Sequence, residues 1–425
     1  MTPHLAKVVI SNGFSKFNMD HSAEEAARAG MLARYLTGAY PSRFWRDLLG
    51  RRRWRGGVGR FLGRATRLPD SCIDSFGASE IMHLVAMVLP PALKQPGRIG
   101  EYFDVRSLQW YGEAAARAID RLAVPANLYH YRSGFGGRSL AAARRRGMAL
   151  LCEHSIAHPA AVDYLVENAG RLPDTRNLPP LRRLWRHIEA DISQADLVVV
   201  NSDFVKQTFV AMGHPAEKVS VLYRGVDDEF FSLLDGSPRP AVTSGPVRLL
   251  FAGAFGRRKG GACLAAAMTL LDTVPGWSLT LAGPVEPECR QDYDRLLADP
   301  RVHALGALPR RELAQAMQQA DIFVFPTQAE GSARVVFEAL AAGCHVVTTP
   351  QCGSIVGTAA EGILVSPENP RQLADAITGL IPAKSDVATA GARNAALIRS
   401  QYRQSNYGDN LIALYDRMAA ESSVA

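Results

Sequence analysis

Short apolar runs rich in Val, Ile and Leu alternate with helix-period patterns along most of the chain. Runs at 7–11, 127–131, 148–153, 196–201 and 219–223 predict strands in the first half, and runs at 247–253, 278–283, 321–326 and 345–349 predict them in the second. Apolar positions three and four apart mark helices between them, for instance at 181–194, 313–320 and 334–342. Strand and helix in alternation specify parallel βαβ units and an α/β fold. The stretch 235–246 (DGSPRPAVTSGP) has no apolar period and reads as a linker. The pattern therefore predicts two Rossmann-like domains, 1–234 and 247–401, facing each other across a cleft, with a last helix within 402–425. Ligands of such sheets bind beyond the carboxyl ends of the strands. The longest apolar run, 81–93, contains His83 and a proline pair; it is too short to span a bilayer and is expected as a core helix.

A chain of 425 residues exceeds one hydrophobic core, in keeping with two domains. Its 47% apolar and 21% charged residues exclude a disordered or fibrous protein. Residues 1–7 run straight into a strand-like segment, so no secretion signal is expected. Six cysteines (Cys72, Cys152, Cys263, Cys289, Cys344 and Cys352) show no CxxC or zinc spacing. They are expected as small core residues of a reduced, cytoplasmic protein.

The net charge of +7 is local: residues 41–67 hold nine arginines against Asp47, which is +8, so the rest of the chain sums to −1. Phe44, Trp45, Leu48 and Leu49 share one helical face, opposite Arg43, Arg46 and Asp47. After Arg51, Arg52, Arg53, Trp54 and Arg55, the residues Val58, Phe61, Leu62 and Ala65 share another, opposite Arg60, Arg64 and Arg67. Two short basic amphipathic helices predict in-plane contact with an anionic membrane surface. The competing reading packs their apolar faces on the domain and leaves the arginines solvated. Nothing resembles a nucleic-acid-binding fold, so no nucleic-acid partner is expected.

The stretch Glu330-Gly331-Ser332-Ala333-Arg334-Val335-Val336-Phe337-Glu338 follows the strand pattern at 321–326. Glu338 lies in a helix that is apolar nearly all round, where a carboxylate is costly without a partner. Glu330 precedes that helix, whose first N–H groups have no intrahelical acceptor and suit an anion. On spacing alone the competing explanation of the pair is a favourable N-terminal acid and a salt-bridged core glutamate.

Glu330 and Glu338, seven residues intervening, resemble the E-x7-E signature of the retaining glycosyltransferases of family four, which have the GT-B fold. The resemblance covers the second domain and extends weakly over the first. It implies that Glu330 contacts the donor sugar, that Glu338 holds the nucleotide ribose, and that N–H groups around Ser332, Ala333, Arg334 and Val335 receive the diphosphate. GAFGRRKG at 253–260 resembles the family's phosphate loop and implies Lys259 as its lysine. Ala254 stands where relatives often carry Arg, and Arg258, or less strongly Arg257, is the substitute charge. Gly283, Leu305 and Leu308 are placed near the nucleobase. In the first domain the resemblance implies a sugar- or phosphate-contacting histidine after the strand at 148–153. His154 fits the common position and His158 a variant one, and either ring is equally readable as a satisfied core histidine. Gly13 is placed beside the phosphate, although the family's double glycine is missing. Arg224 replaces the family's usual residue before Gly-Val-Asp, and its role is open.

The resemblance further implies a hexosyltransferase without cofactor or metal, acting on a nucleotide-sugar donor and a glycan or lipid-linked acceptor in cell-envelope or polysaccharide synthesis. The enzyme would be cytoplasmic and peripheral on the membrane's cytoplasmic face, with its last helix packed on the first domain. The rivals are a nucleotide-sugar epimerase or hydrolase of the same fold and a non-catalytic nucleotide-sugar-binding scaffold.

Overall fold

The computed structural model of the chain describes residues 6–14, 19–49, 56–94, 97–168, 170–173, 178, 180–236, 239 and 245–422. Two parallel sheets are covered by helices. The first contains β1 (Val8–Gly13), β2 (Leu32–Thr37), β3 (Ile73–Ser75), β4 (Leu128–Arg132), β5 (Ala149–His154), β6 (Leu197–Val200) and β7 (Val219–Val221), in the order β3-β2-β1-β4-β5-β6-β7. The second contains β8 (Val247–Ala252), β9 (Trp277–Ala282), β10 (Val302–Gly306), β11 (Ile322–Phe325), β12 (His345–Thr348) and β13 (Gly362–Leu364), in the order β10-β9-β8-β11-β12-β13. Strand order reverses between β1 and β4 and again between β8 and β11, which are the places where such sheets open a crevice.

Four strands are absent from the sequence prediction: β2, β3, β10 and β13. All lie at or next to a sheet edge. An edge strand is covered on fewer sides, so its sequence need not be a continuous apolar run. In β10 only Val302 is buried.

The first sheet separates its side chains by strand alternation. Val9 enters the apolar cluster on one face, and Val8 and Ile10 enter the other. The second of these clusters is completed by Tyr407, Leu411, Leu414, Tyr415 and Met418 of the Gln404–Ser422 helix. The Tyr415 hydroxyl meets His130 Nδ1 at 2.7 Å, so the C-terminal helix is tied to the first sheet by packing and by a polar contact. In the second domain Trp277, Phe251, Phe323 and Phe325 form one core with both flanking helix layers.

The apolar run at 81–93 does not become a core helix. The Ile81–Val88 helix leaves Ile81 55%, Leu84 53% and Val88 82% exposed. Composition made it look buried, but the elements packed on it cover only one side. No helix among the described residues is long and apolar enough to cross a membrane. The basic arm forms helices at Arg43–Leu49 and Gly56–Leu62, whereas Arg51, Arg52, Arg53, Trp54 and Arg55 lie outside the described residues. Most of the stretch read as a linker also lies outside them; Arg239 donates to the carbonyls of Ala342 and Ala320 at 2.8 and 2.7 Å. All six cysteines are free, and only Cys72 is not buried.

Candidate functional site

At the β8–β11 reversal a cavity of about 460 Å³ is lined by Lys259, Glu330, Ser332, Ala333, Arg334, Val335 and Glu338. The chain thus gathers seven of its sequence-predicted donor residues in one place. Lys259 is delivered by the turn after β8, which Gly260 ends at φ +77°; a Cβ there would lie 2.0 Å from the Pro326 carbonyl oxygen. Lys259 Nζ donates to Glu330 Oε1 and sits 5.3 Å from the centroid of the Phe325 ring. Arg258 Nη1 reaches the same oxygen at 2.7 Å from the more exposed side. Burial lowers the Lys259 pKa, the neighbouring Arg258 lowers it further, and Glu330 counteracts both.

The helix Arg334–Ala341 starts at the cavity wall. Ala333 N–H is used by the Cys352 carbonyl at 2.9 Å, whereas the N–H groups of Arg334 and Val335 find no acceptor among the described residues. Two unsatisfied donors at a helix start favour a bound anion.

Glu338 has the partners that its burial requires. Arg310 Nη2 and Arg334 Nη2 approach its Oε1 at 3.4 and 3.5 Å, and both arginines also hold Asp227. Burial raises the Glu338 pKa, and the two arginines only partly offset this. Burial also works against the Asp227 carboxylate, but hydrogen bonds from Arg310 and Phe230 N–H hold its pKa below the usual range. Arg310 and Asp227 were missed in the sequence. Asp227 reads as an ordinary N-cap and Arg310 as the first residue of a helix, and only the fold brings them to Glu338. Gly283 and Leu308 also line the cavity, while Leu305 is 49% exposed and stands outside it.

The first-domain candidates fall elsewhere. Gly13 ends β1, and its N–H is given to the Tyr111 hydroxyl at 3.2 Å. His154 ends β5; its Nδ1 meets Ser133 Oγ at 2.8 Å and its Nε2 the Ala157 carbonyl at 3.2 Å. Burial lowers its pKa to about 4, so the ring is neutral at pH 7. His158 is buried too. Its Nδ1 accepts from Ala160 N–H at 3.1 Å, and its Nε2 lies 3.0 Å from both His214 Nε2 and Glu189 Oε2. Burial alone would raise the Glu189 pKa, but the two imidazoles outweigh it and lower the pKa to about 2.

Among the described residues, His158, Glu189 and His214 are the one grouping with metal-ligand spacing. The Ala160 N–H at Nδ1 leaves the ring proton on Nε2, the atom an ion would need, so the trio reads as a hydrogen-bonded network. Arg224, after β7, lies beside Glu153; burial lowers its pKa and Glu153 counteracts the effect.

The two domains meet at the cavity. Ser202 Oγ donates to the Gly331 carbonyl at 2.5 Å, and Gln351 Nε2 donates to the Gly170 carbonyl at 3.0 Å. A Cβ on Gly331 would lie 1.9 Å from the Ser155 carbonyl oxygen, directly after His154. The donor-side loop is therefore clasped by the end of β5 and the helix Asp203–Ala211 of the first domain.

Comparison with known proteins adds to this geometry. Residues 246–382 match the family described as glycosyl transferases group 1, and residues 83–230 match glycosyltransferase family 4. The chain is 30% identical to a D-inositol 3-phosphate glycosyltransferase of Catenulispora acidiphila, over 68% of this chain and 70% of that one. It is 23% identical to the amylovoran biosynthesis glycosyltransferase AmsK of Erwinia amylovora, over 83% of this chain and 85% of that one. Among solved structures, sucrose-phosphate synthase of Thermosynechococcus elongatus superposes with a TM-score of 0.63 at 18% identity, covering 98% of this chain and 100% of the other. HepE of Anabaena, solved with UDP and glucose, gives 0.56 at 16% identity, covering 99% and 100%. Both neighbours have the GT-B fold.

Proposed function

The chain belongs to the group 1, family 4 glycosyltransferases, and from that premise we propose a retaining, metal-independent transfer of a sugar from a nucleotide-sugar donor to a glycan or lipid-linked acceptor. The observation that carries the donor assignment is the single cavity joining Lys259, the free N–H groups of Arg334 and Val335, Glu330 and Glu338. Lys259, Arg258 and the helix start supply positive potential to a departing diphosphate. Glu330, now paired with Lys259 and Arg258, turns to the sugar hydroxyls once phosphate takes those cations. Glu338 accepts from the ribose. The acceptor hydroxyl attacks the anomeric carbon on the face from which the diphosphate leaves; the carbon–oxygen bond to phosphate breaks and the leaving phosphate takes the hydroxyl proton. Lys259, Arg258 and the helix start already offer positive charge to the diphosphate, the part a divalent ion would otherwise play, which supports chemistry without a metal.

His154 is the histidine we assign to the sugar side, because the next residue, Ser155, touches Gly331. The activities of relatives, among them amylovoran biosynthesis, support a role in polysaccharide or envelope glycan synthesis. The arm at 41–67 is the proposed contact with the cytoplasmic face of a membrane: Phe44 is 66% exposed, and the arm is fixed to the domain through Arg46–Asp70 and Arg64–Glu80.

Calorimetry with a panel of nucleoside diphosphates tests the donor site. Lys259→Ala should weaken the cognate diphosphate about 10- to 100-fold while sparing the nucleoside, the loss of one hydrogen bond to a charged group. Glu338→Gln should weaken both by about tenfold, and Glu330→Gln should spare affinity but reduce turnover. Wild-type affinity in both Lys259→Ala and Glu338→Gln would place the donor elsewhere.

A further inference from the structure

Two neighbouring features of the first domain play no part in the donor chemistry. The first is the uncovered Ile81–Val88 helix, whose apolar surface is continued by exposed Leu93, Ile99 and Tyr102. Single exposed apolar residues are ordinary on a soluble protein, but a clustered run of them marks a contact surface. The second is a cavity of about 550 Å³ lined by Arg98, Ile99, Tyr102, Arg182, Arg183 and Arg186, with Glu101 in its wall. Ile99 and Tyr102 open the Ile99–Asp120 helix, which packs against both the Ile81–Val88 and the Arg183–Ile192 helices, so the apolar surface adjoins the arginine pocket.

The charges of this pocket are unequal. Arg182 is held by Asp163 in a bidentate pair at 2.6 and 2.8 Å. Arg183 lies over the Tyr102 ring, 5.6 Å from its centroid. The side chains of Arg98 and Arg186 find no acceptor among the described residues. Glu101 is committed elsewhere: its oxygens accept from the N–H groups of Gly97 and Leu184 at 2.6 and 2.8 Å, which splices two chain segments together. Among the described residues four arginines thus face two carboxylates, and three guanidinium groups have no acid bound to them.

We propose that this pocket seats the phosphate of an anionic lipid while the surface of Ile81, Leu84, Val88, Ile99 and Tyr102 beds into the adjoining bilayer. Guanidinium groups grip phosphate oxygens through paired N–H donors, and an apolar rim suits a phosphate that arrives at a membrane surface better than one arriving from water. The basic arm lies on the same side. Arg64 pairs with Glu80, which immediately precedes the Ile81–Val88 helix, at 2.7 Å. The surface also borders the cleft: the His83 ring is 5.8 Å from that of Phe14, just past β1. A lipid held there would present its headgroup beside the acceptor side of the site. The proposal rests on the reading of a membrane-associated acceptor, and its test is separable from the donor chemistry.

The full chain is sedimented with vesicles of phosphatidylglycerol or phosphatidylcholine at 0.15 M salt, and nucleoside diphosphate affinity is measured on the same preparations. Wild type should bind the phosphatidylglycerol vesicles. The triple change Arg98→Gln, Arg183→Gln, Arg186→Gln should lower partitioning about 100-fold, at about 1 kcal/mol per arginine. Leu84→Ser with Val88→Ser should lower it as well, and both variants should keep the melting temperature and nucleotide affinity. A wild type that binds vesicles but no nucleotide would leave this surface standing and remove the donor assignment. Triple-variant partitioning equal to wild type overturns the proposal and leaves the arm as the anchor. So does a pocket that binds soluble pyrophosphate with no vesicle binding, which would be a site for a free anion.

Discussion

The donor cavity and the arginine pocket both collect cations, and they treat them in opposite ways. In the cavity each charged side chain is answered from within: Lys259 and Arg258 by Glu330, Arg310 and Arg334 by Asp227 and Glu338. On the outer face of the first domain Arg98, Arg183 and Arg186 have no carboxylate bound to them among the described residues. Internal counter-charges fix the cations where a small ligand will replace the carboxylates, so little reorganisation remains at the moment of reaction. Open arginines are solvated, screened by salt, and suited to a broad partner that brings its own charge.

The comparison breaks most visibly at Gly331, where the preorganised site meets the first domain. Its carbonyl is held by Ser202, and any Cβ would collide with Ser155. Gly331→Ala should keep each domain folded but hold the domains apart, displacing Glu330 relative to the acceptor. A misplacement of about 1 Å costs on the order of 100-fold in turnover. Small-angle scattering should show a more open particle, with nucleoside diphosphate affinity within threefold of wild type. Full activity in this variant would mean that the clasped arrangement is not the reacting one.

The two histidines sharpen the same contrast inside the first domain. His154→Ala should lower turnover about tenfold or more with modest change in melting temperature, the mark of a group acting on the sugar side. His158→Ala should leave chemistry nearly intact and cost roughly 2 kcal/mol, because it strips a partner from a partly buried carboxylate and a cap from Ala160 N–H. Kinetics and melting curves of both proteins decide between the assignments, and equal activity in both would remove His154 from the site.

How much of this was legible depended on how locally each feature is encoded. Glu338 stood out because it interrupts an apolar helix, and Lys259 because two cations precede a strand-to-helix turn. Arg310 and Asp227 gave no such signal, since their partnership with Glu338 spans the second sheet's reversal and the chain between domains. The interior strands and the edge strand β7 were readable as apolar runs, while β2, β3, β10 and β13, whose residues are only partly buried, were not. The helix at 81–88 shows the converse failure. Its sequence is apolar enough for a core, but a sequence does not say which of its faces the rest of the chain will cover. The grouping of Arg98 with Arg183 and Arg186 is equally silent, because it is made by the contact between two helices, Ile99–Asp120 and Arg183–Ile192.

A further expected effect concerns acid, and it separates the domains by stability instead of charge. His154 has a folded pKa near 4 against an ordinary 6.5, so the unfolded chain binds its proton first as pH falls. Its contribution to stability is complete above pH 6.5 and is lost as pH drops through the window down to about 4. Glu189, at about 2 against 4.5, loses its contribution in a lower window, from 4.5 to about 2. Both groups sit beside the Asp203–Ala211 helix of the first domain, whose Phe209 ring packs on His154. The first domain should therefore soften between pH 6.5 and 4 by up to about 3 kcal/mol from His154 alone. The second domain moves the other way at Glu338, whose raised pKa means that acid relieves the cost of its buried charge. Denaturant unfolding followed at pH 7.5, 5.5 and 4.5 should show a first-domain transition that moves to lower denaturant and a second-domain transition that does not weaken. His154→Gln, which cannot titrate, should flatten the first transition over that window. If the variant and wild type soften alike, the acid sensitivity belongs to other groups, and His154 is not held neutral by its burial.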